Sequence, residues 1–106
     1  MSVVVLTSAN VAEVLTGESI VLIDFRASHC GACDAFDHIY DDAAKSYQDI
    51  VFAKVDIEDE PELADDFDIN SVPTLVVIRD KEWIYSHVGT VTDVEMESLV
   101  QQVREG

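Results

Sequence analysis

Basic residues are scarce in this chain. Six Lys and Arg stand against 22 Asp and Glu, for a formal net charge of −16. Without a basic face to neutralise phosphates, nucleic-acid binding is disfavoured. Attraction to an anionic membrane surface is disfavoured for the same reason. Long apolar runs are also missing: the longest are about five residues, far short of a bilayer span. The stretch Met1 to Leu6 carries no basic segment and no small-residue cleavage site, and Thr7, Ser8 and Asn10 interrupt it early. It reads as a first strand rather than a signal peptide, so the chain is expected in the cytoplasm. Cysteine occurs only twice, too few for a disulfide scaffold. Repeats, low-complexity stretches and linkers are absent. The 106 residues are expected to form one domain, 1–106, and a monomer.

What is present is ordinary in amount and ordered in pattern. The hydrophobic fraction is 48%, enough for a core that needs no staple. Val3 to Leu6 is β-prone. Thr7 and Ser8 are expected to cap a short helix with apolar positions Val11, Val14 and Leu15, closed by Gly17. Ile20 to Phe25 is a nearly continuous apolar run, the pattern of a central strand buried on both faces. A long helix is expected from the cysteines to about Tyr47, with Phe36, Ile39, Tyr40, Ala43 and Tyr47 as its stripe. Ile50 to Val55 reads as a third strand, and Pro61 suits the first turn of a helix. Leu75 to Ile78 and Trp83 to Val88 form a hairpin across Arg79 to Glu82, without the usual Gly. Thr92 to Glu95 is a capping-box pattern, followed by a stripe at Met96, Leu99, Val100 and Val103. The order β-α-β-α-β-α-β-β-α implies an α/β fold: a central mixed sheet with helices on both faces and a late antiparallel hairpin. The dense acidity reads as a solvated, self-repelling surface. Composition leaves open adaptation to a salty medium or a basic partner.

The chemistry concentrates at Cys30-Gly31-Ala32-Cys33. The pair follows a strand and starts a helix, where unsatisfied backbone N–H groups and the helix dipole favour negative charge. A thiolate there is the reactive form. Cys30 is the exposed candidate nucleophile. Cys33, one turn later, is the candidate resolving thiol. Asp24 is the anomaly within the buried strand. A carboxylate there is costly, so its proton affinity should be raised unless Lys54 pairs with it. Such a group can take a proton from Cys33 and return it.

The stretch Val21 to Cys33, with Asp24-Phe25 and Cys30-Gly31-Ala32-Cys33, resembles the active-site strand and helix start of thioredoxins. The resemblance continues through Val51 to Asp56 and Val72-Pro73-Thr74, and ends at Val88-Gly89. It implies the thioredoxin fold and thiol–disulfide oxidoreductase activity on protein disulfides. It also implies no cofactor beyond a redox-active Cys30–Cys33 disulfide, and a thioredoxin reductase as the partner that restores the dithiol. By the same resemblance, Pro73 is a cis-proline, Asp24 is the buried carboxylate behind Cys33, and Val72 offers backbone to a substrate strand. His29, Gly31, Ala32 and Gly89 complete the expected substrate surface.

Four positions depart from the family pattern. His29 replaces Trp, Ala32 replaces Pro, Asp34 replaces Lys or Arg, and Arg26 replaces Trp. A protonated His29 would favour the Cys30 thiolate. Asp34 would oppose it, with Arg26 as an offset. These changes keep a second class of function in view, a thioredoxin-fold binding or regulatory module with weak turnover. A small zinc site is a third reading, from His29, Cys30, Cys33 and His38. However, Cys33 and His38 lie five apart and project to different sides of a helix.

Overall fold

A computed structural model describes residues 3–105; Met1, Ser2 and Gly106 lie outside them. The elements are β1 (Val3–Val5), α1 (Val11–Gly17), β2 (Ile20–Arg26), α2 (Gly31–Ser46), β3 (Val51–Asp56), α3 (Pro61–Asp66), β4 (Thr74–Arg79), β5 (Glu82–Val88) and α4 (Asp93–Glu105). Their order is the one expected from the sequence. One five-stranded sheet runs β1-β3-β2-β4-β5. β1 and β2 pair parallel with β3, while β4 is antiparallel to both β2 and β5.

The alternation of side chains along each strand divides the core in two. Leu22, Phe52, Leu75 and Val77 face α2 and α4, where Phe36, Tyr40, Met96, Val100 and Val103 meet them. Val21, Ile23, Phe25, Ala53, Val55, Val76 and Ile78 face the other way, onto Leu63 of α3 and Val11, Val14 and Leu15 of α1. β2 is covered on both faces, which is why its sequence is almost unbroken in apolar residues.

The ends of the elements follow local chemistry. Thr92 and Glu95 form a reciprocal capping box: Thr92 N–H donates to Glu95 Oε1 at 2.8 Å and Glu95 N–H to Thr92 Oγ1 at 3.1 Å. The start of α1 differs from expectation. Asn10, not Thr7 or Ser8, occupies its N-cap, and no side chain caps the helix. Thr7 instead closes a turn with Asn10, donating its N–H to Asn10 Oδ1 at 2.8 Å. The β4–β5 turn carries Asp80 and Lys81 with φ of 52° and 72°. Both central residues of this tight turn are left-handed, which matches the twist of a hairpin. Asp tolerates that geometry through its short polar side chain, so the turn forms without Gly.

Tyr40 ties the α2 face of the sheet together. Its hydroxyl lies 2.7 Å from the Ala53 carbonyl and 2.9 Å from the Leu22 carbonyl, one on β3 and one on β2. The ring is fully buried and sits edge-on to Phe52. Burial, and next the charge of Asp24, hold its phenol well above the ordinary value, so it stays a donor. Tyr40→Phe keeps the ring and deletes the donor. It should lower the unfolding free energy by about 1 kcal/mol, read from urea denaturation; an unchanged midpoint would contradict this.

Candidate active site

The loop after β2 and the start of α2 place the two cysteines. Cys30 is the N-cap of α2, with extended backbone (φ −116°, ψ 104°). Its sulfur accepts the Cys33 N–H at 3.2 Å, and its carbonyl accepts the Asp34 N–H at 3.0 Å. The sulfur thereby satisfies one of the helix's first N–H groups, which have no partner within the helix, and the carbonyl takes the first bond of the helical ladder. Cys30 and Cys33 are joined as a disulfide, with Cα atoms 5.2 Å apart. Cys33 is fully buried and Cys30 half-buried. The sulfur that sits at the positive end of the helix is also the one that solvent reaches.

The sheet brings the other expected residues to the same end. β4 runs antiparallel to β2 with Phe25 opposite Thr74. The buried Pro73 that precedes Thr74 therefore lies where β2 gives way to the cysteine loop, and the Val72–Pro73 bond is cis. Thr74 in turn pairs with Val88, which sets Gly89 beside Pro73. Gly89 N–H donates to the Pro73 carbonyl at 2.8 Å. Its φ of 97° is a conformation that side-chain-bearing residues avoid. Gly31 and Ala32 are exposed on the first turn of α2, and His29 is exposed in front of it. On the same helix Cys33 is buried and His38 exposed, so the two do not converge.

Asp24 is fully buried, and neither of its carboxylate oxygens has a hydrogen-bond partner. Lys54 stands opposite it on β3 but does not pair with it. The ammonium instead meets Asp41 at 3.0 Å and Asp37 at 3.2 Å, both from α2. Arg26 Nη2 meets Asp34 at 3.0 Å and Asp37 at 3.3 Å. Loss of solvation pushes the Asp24 carboxyl up to about 7; Lys54 opposes this, Asp37 and Asp41 add to it, and Arg26 also opposes it. For Lys54, burial acts downward, but Asp41 and Asp37 outweigh it and leave the ammonium above its ordinary value.

The thioredoxin family profile matches residues 2–105. The chain belongs to the thioredoxin family. It is 39% identical over 103 residues to a candidate thioredoxin 2 of Streptomyces coelicolor, covering 97% of this chain and 77% of that protein. It is 30% identical over 102 residues to the thioredoxin of Buchnera aphidicola, covering 94% of each. Among known structures it resembles a thioredoxin mutant from Halobacterium salinarum, with a TM-score of 0.90, 25% identity, and coverage of 96% of this chain and 90% of the other. The thioredoxin of Plasmodium falciparum is similar, with a TM-score of 0.86, 26% identity, and coverage of 93% and 97%. As a thioredoxin with a C-x-x-C disulfide, the chain is a thiol–disulfide oxidoreductase acting on protein disulfides. No helix among the described residues is long and apolar enough to cross a membrane.

The sequence singled out Asp24, Lys54 and the cysteines, and two neighbours went unmarked. Asp37 and Asp41 follow Cys33 at i+4 and i+8, along one stripe of α2. That spacing was visible as a line of carboxylates behind Cys33. Its meaning needed the sheet register, which sets Lys54 and Arg26 beneath the stripe.

Burial of Asp24 fixes the sign of a pH dependence. Its folded-state value lies above the 3.8 of an exposed Asp, so its favourable contribution is complete below about pH 4 and lost as pH rises through 7. Asp24→Asn removes that loss. The variant should match the parent near pH 4 and exceed it increasingly up to pH 8, by about 4 kcal/mol at most. Thermal and urea unfolding across that range measure it; a gain that does not grow with pH would be the contrary result.

Proposed function

We propose that Cys30 is the attacking thiolate, Cys33 the resolving thiol and Asp24 the proton acceptor in reduction of protein disulfides. The Cys30 thiolate attacks one sulfur of a substrate disulfide. A Cys30–substrate disulfide forms, and the other substrate sulfur leaves as a thiolate. Cys33 gives its proton to Asp24 and attacks the Cys30 sulfur. This closes the Cys30–Cys33 bond, releases the second substrate thiolate and returns the proton to it. Two electrons pass from the dithiol to the substrate, and an external reductant must resupply them.

The position of Cys30 carries this reading. It is the only one of the two sulfurs that solvent reaches, it caps α2, and it accepts the Cys33 N–H. A negative sulfur is favoured there by the helix terminus. Asp24, unpaired and with its carboxyl near 7, has the affinity that a proton shuttle at neutral pH requires. Lys54 acts on that affinity from β3. Val72 offers backbone to an extended substrate segment, which would lie along the surface made by His29, Gly31, Ala32, Pro73 and Gly89. The bound state of the site needs no group beyond its own disulfide. We place the protein in the cytoplasm as a monomer, with a thioredoxin reductase as the source of electrons.

Insulin reduction with dithiothreitol tests the assignment. Cys30→Ser should abolish turnover. Cys33→Ser should stop after one step and accumulate a substrate mixed disulfide on Cys30, visible as a mass adduct. Adducts on Cys33 in the Cys30→Ser variant would reverse the roles, and an inactive parent would favour the binding module.

Ala32 removes a fixed φ from the helix start, and His29 places an ionisable ring beside Cys30. The Cys30–Cys33 couple should therefore be less reducing than one flanked by the family's Trp and Pro. A glutathione-buffered titration giving an equal or lower potential would refute this.

A further inference from the structure

α2 and the sheet face each other across a ladder of alternating charge. Along the helix it runs Asp34, Arg26, Asp37, Lys54 and Asp41, with the two end carboxylates the most exposed and the three inner charges half-buried. Asp37 is the rung that touches both cations. One of its oxygens meets Arg26 Nη2 at 3.3 Å and the other meets Lys54 Nζ at 3.2 Å. The second contact is a pairing of charges without hydrogen-bond alignment. Asp37 is itself half-buried, on the stripe of α2 that begins with Cys33.

Asp24 stands just outside this ladder. Lys54 is its neighbour across the β2–β3 register and Arg26 lies two residues along β2. Both cations are nevertheless engaged by α2. The groups around Asp24 are then Lys54 from β3, Arg26 from β2, and Asp37, Tyr40 and Asp41 from α2, with Cys33 one turn before Asp37. From β4 its partner is the apolar Leu75. Three carboxylates of the ladder already share two cations, and an ionised Asp24 would make the count four against two.

We propose that Asp37 is a positioning residue: it holds the Lys54 ammonium and the Arg26 guanidinium against α2, and so keeps Asp24 an unpaired proton carrier behind Cys33. This deepens the proton-shuttle reading of Asp24 and rests on it. Two effects of Asp37 have the same sign. Its own negative charge opposes ionisation of Asp24, and its hold on the cations denies Asp24 a counter-ion. Loss of the charge removes both.

The test follows the Asp24 carboxyl directly, by carbon-13 NMR of the oxidised, disulfide-bonded protein, with Asp24→Asn to assign the signal. In Asp37→Asn the Asp24 inflection should fall by about one pH unit, and Asp37→Glu should leave it near the parent's position. Asp37→Ala reads the same fall if the Asn variant folds poorly. An inflection that is unchanged or raised in the neutral variants overturns the proposal, as does a Glu variant that falls as far as Asn. Insulin reduction supplies the second readout. The acid limb of its pH profile should move down with Asp37→Asn, and Asp24→Asn should erase the movement. The NMR titration needs no turnover, so it stands even if the enzyme lacks reductase activity. Failure of the shuttle reading and failure of the Asp37 assignment are thus told apart.

Discussion

The cost of keeping one carboxylate out of water organises this molecule. Asp24 lies in β2, which has a strand on either side and helices over both faces. That strand exists because Val21, Leu22, Ile23 and Phe25 are fully buried there. The apolar packing that stabilises the fold is the same packing that desolvates the acid. Stability and proton affinity are coupled through shared atoms: a looser core around β2 would admit water and return Asp24 toward an ordinary carboxylate. The site therefore cannot be detached from the fold that carries it.

Charge is distributed with the same economy. Of six basic residues, Arg26 and Lys54 serve the ladder below α2. Arg104 forks onto Asp49 and lies over the Tyr47 ring at 5.1 Å, tying the end of α4 to the loop between α2 and β3. Arg104 and Asp49 are exposed, so their pairing contributes little by itself. The ladder differs because it is half-buried and each interior charge has two partners, which makes it sensitive to the loss of any member.

Much of this was legible in the sequence, for identifiable reasons. Alternation and continuous apolar runs revealed the strands, because side-chain direction has a period of two. The Thr92–Glu95 box revealed the start of α4, because both partners lie within one turn. Asp24 stood out as a charge inside an apolar run. The start of α1 was less legible, since Thr7, Ser8 and Asn10 are all competent caps and the turn between Thr7 and Asn10 decides which is used. The partner of Lys54 was not legible. Register places it opposite Asp24, but its long side chain reaches α2, and a choice among three carboxylates on two elements is a three-dimensional fact. Asp37 went unseen for the same reason, although its spacing from Cys33 was in plain view.

The backbone at His29 has a consequence for how this loop can evolve. With φ of 57°, the residue just before Cys30 sits in a left-handed well that β-branched residues resist and that His, Asn and Asp enter more readily than most. Natural variation at that position is therefore filtered twice, first by what the chain can bend to and only then by what the ring or side chain does to a neighbouring sulfur. A substitution chosen for its chemistry alone could shift Cys30 off the helix terminus before its own charge or bulk had any effect. His satisfies the first filter and brings an imidazole next to Cys30. Geometry is thus met at this position before reactivity is considered.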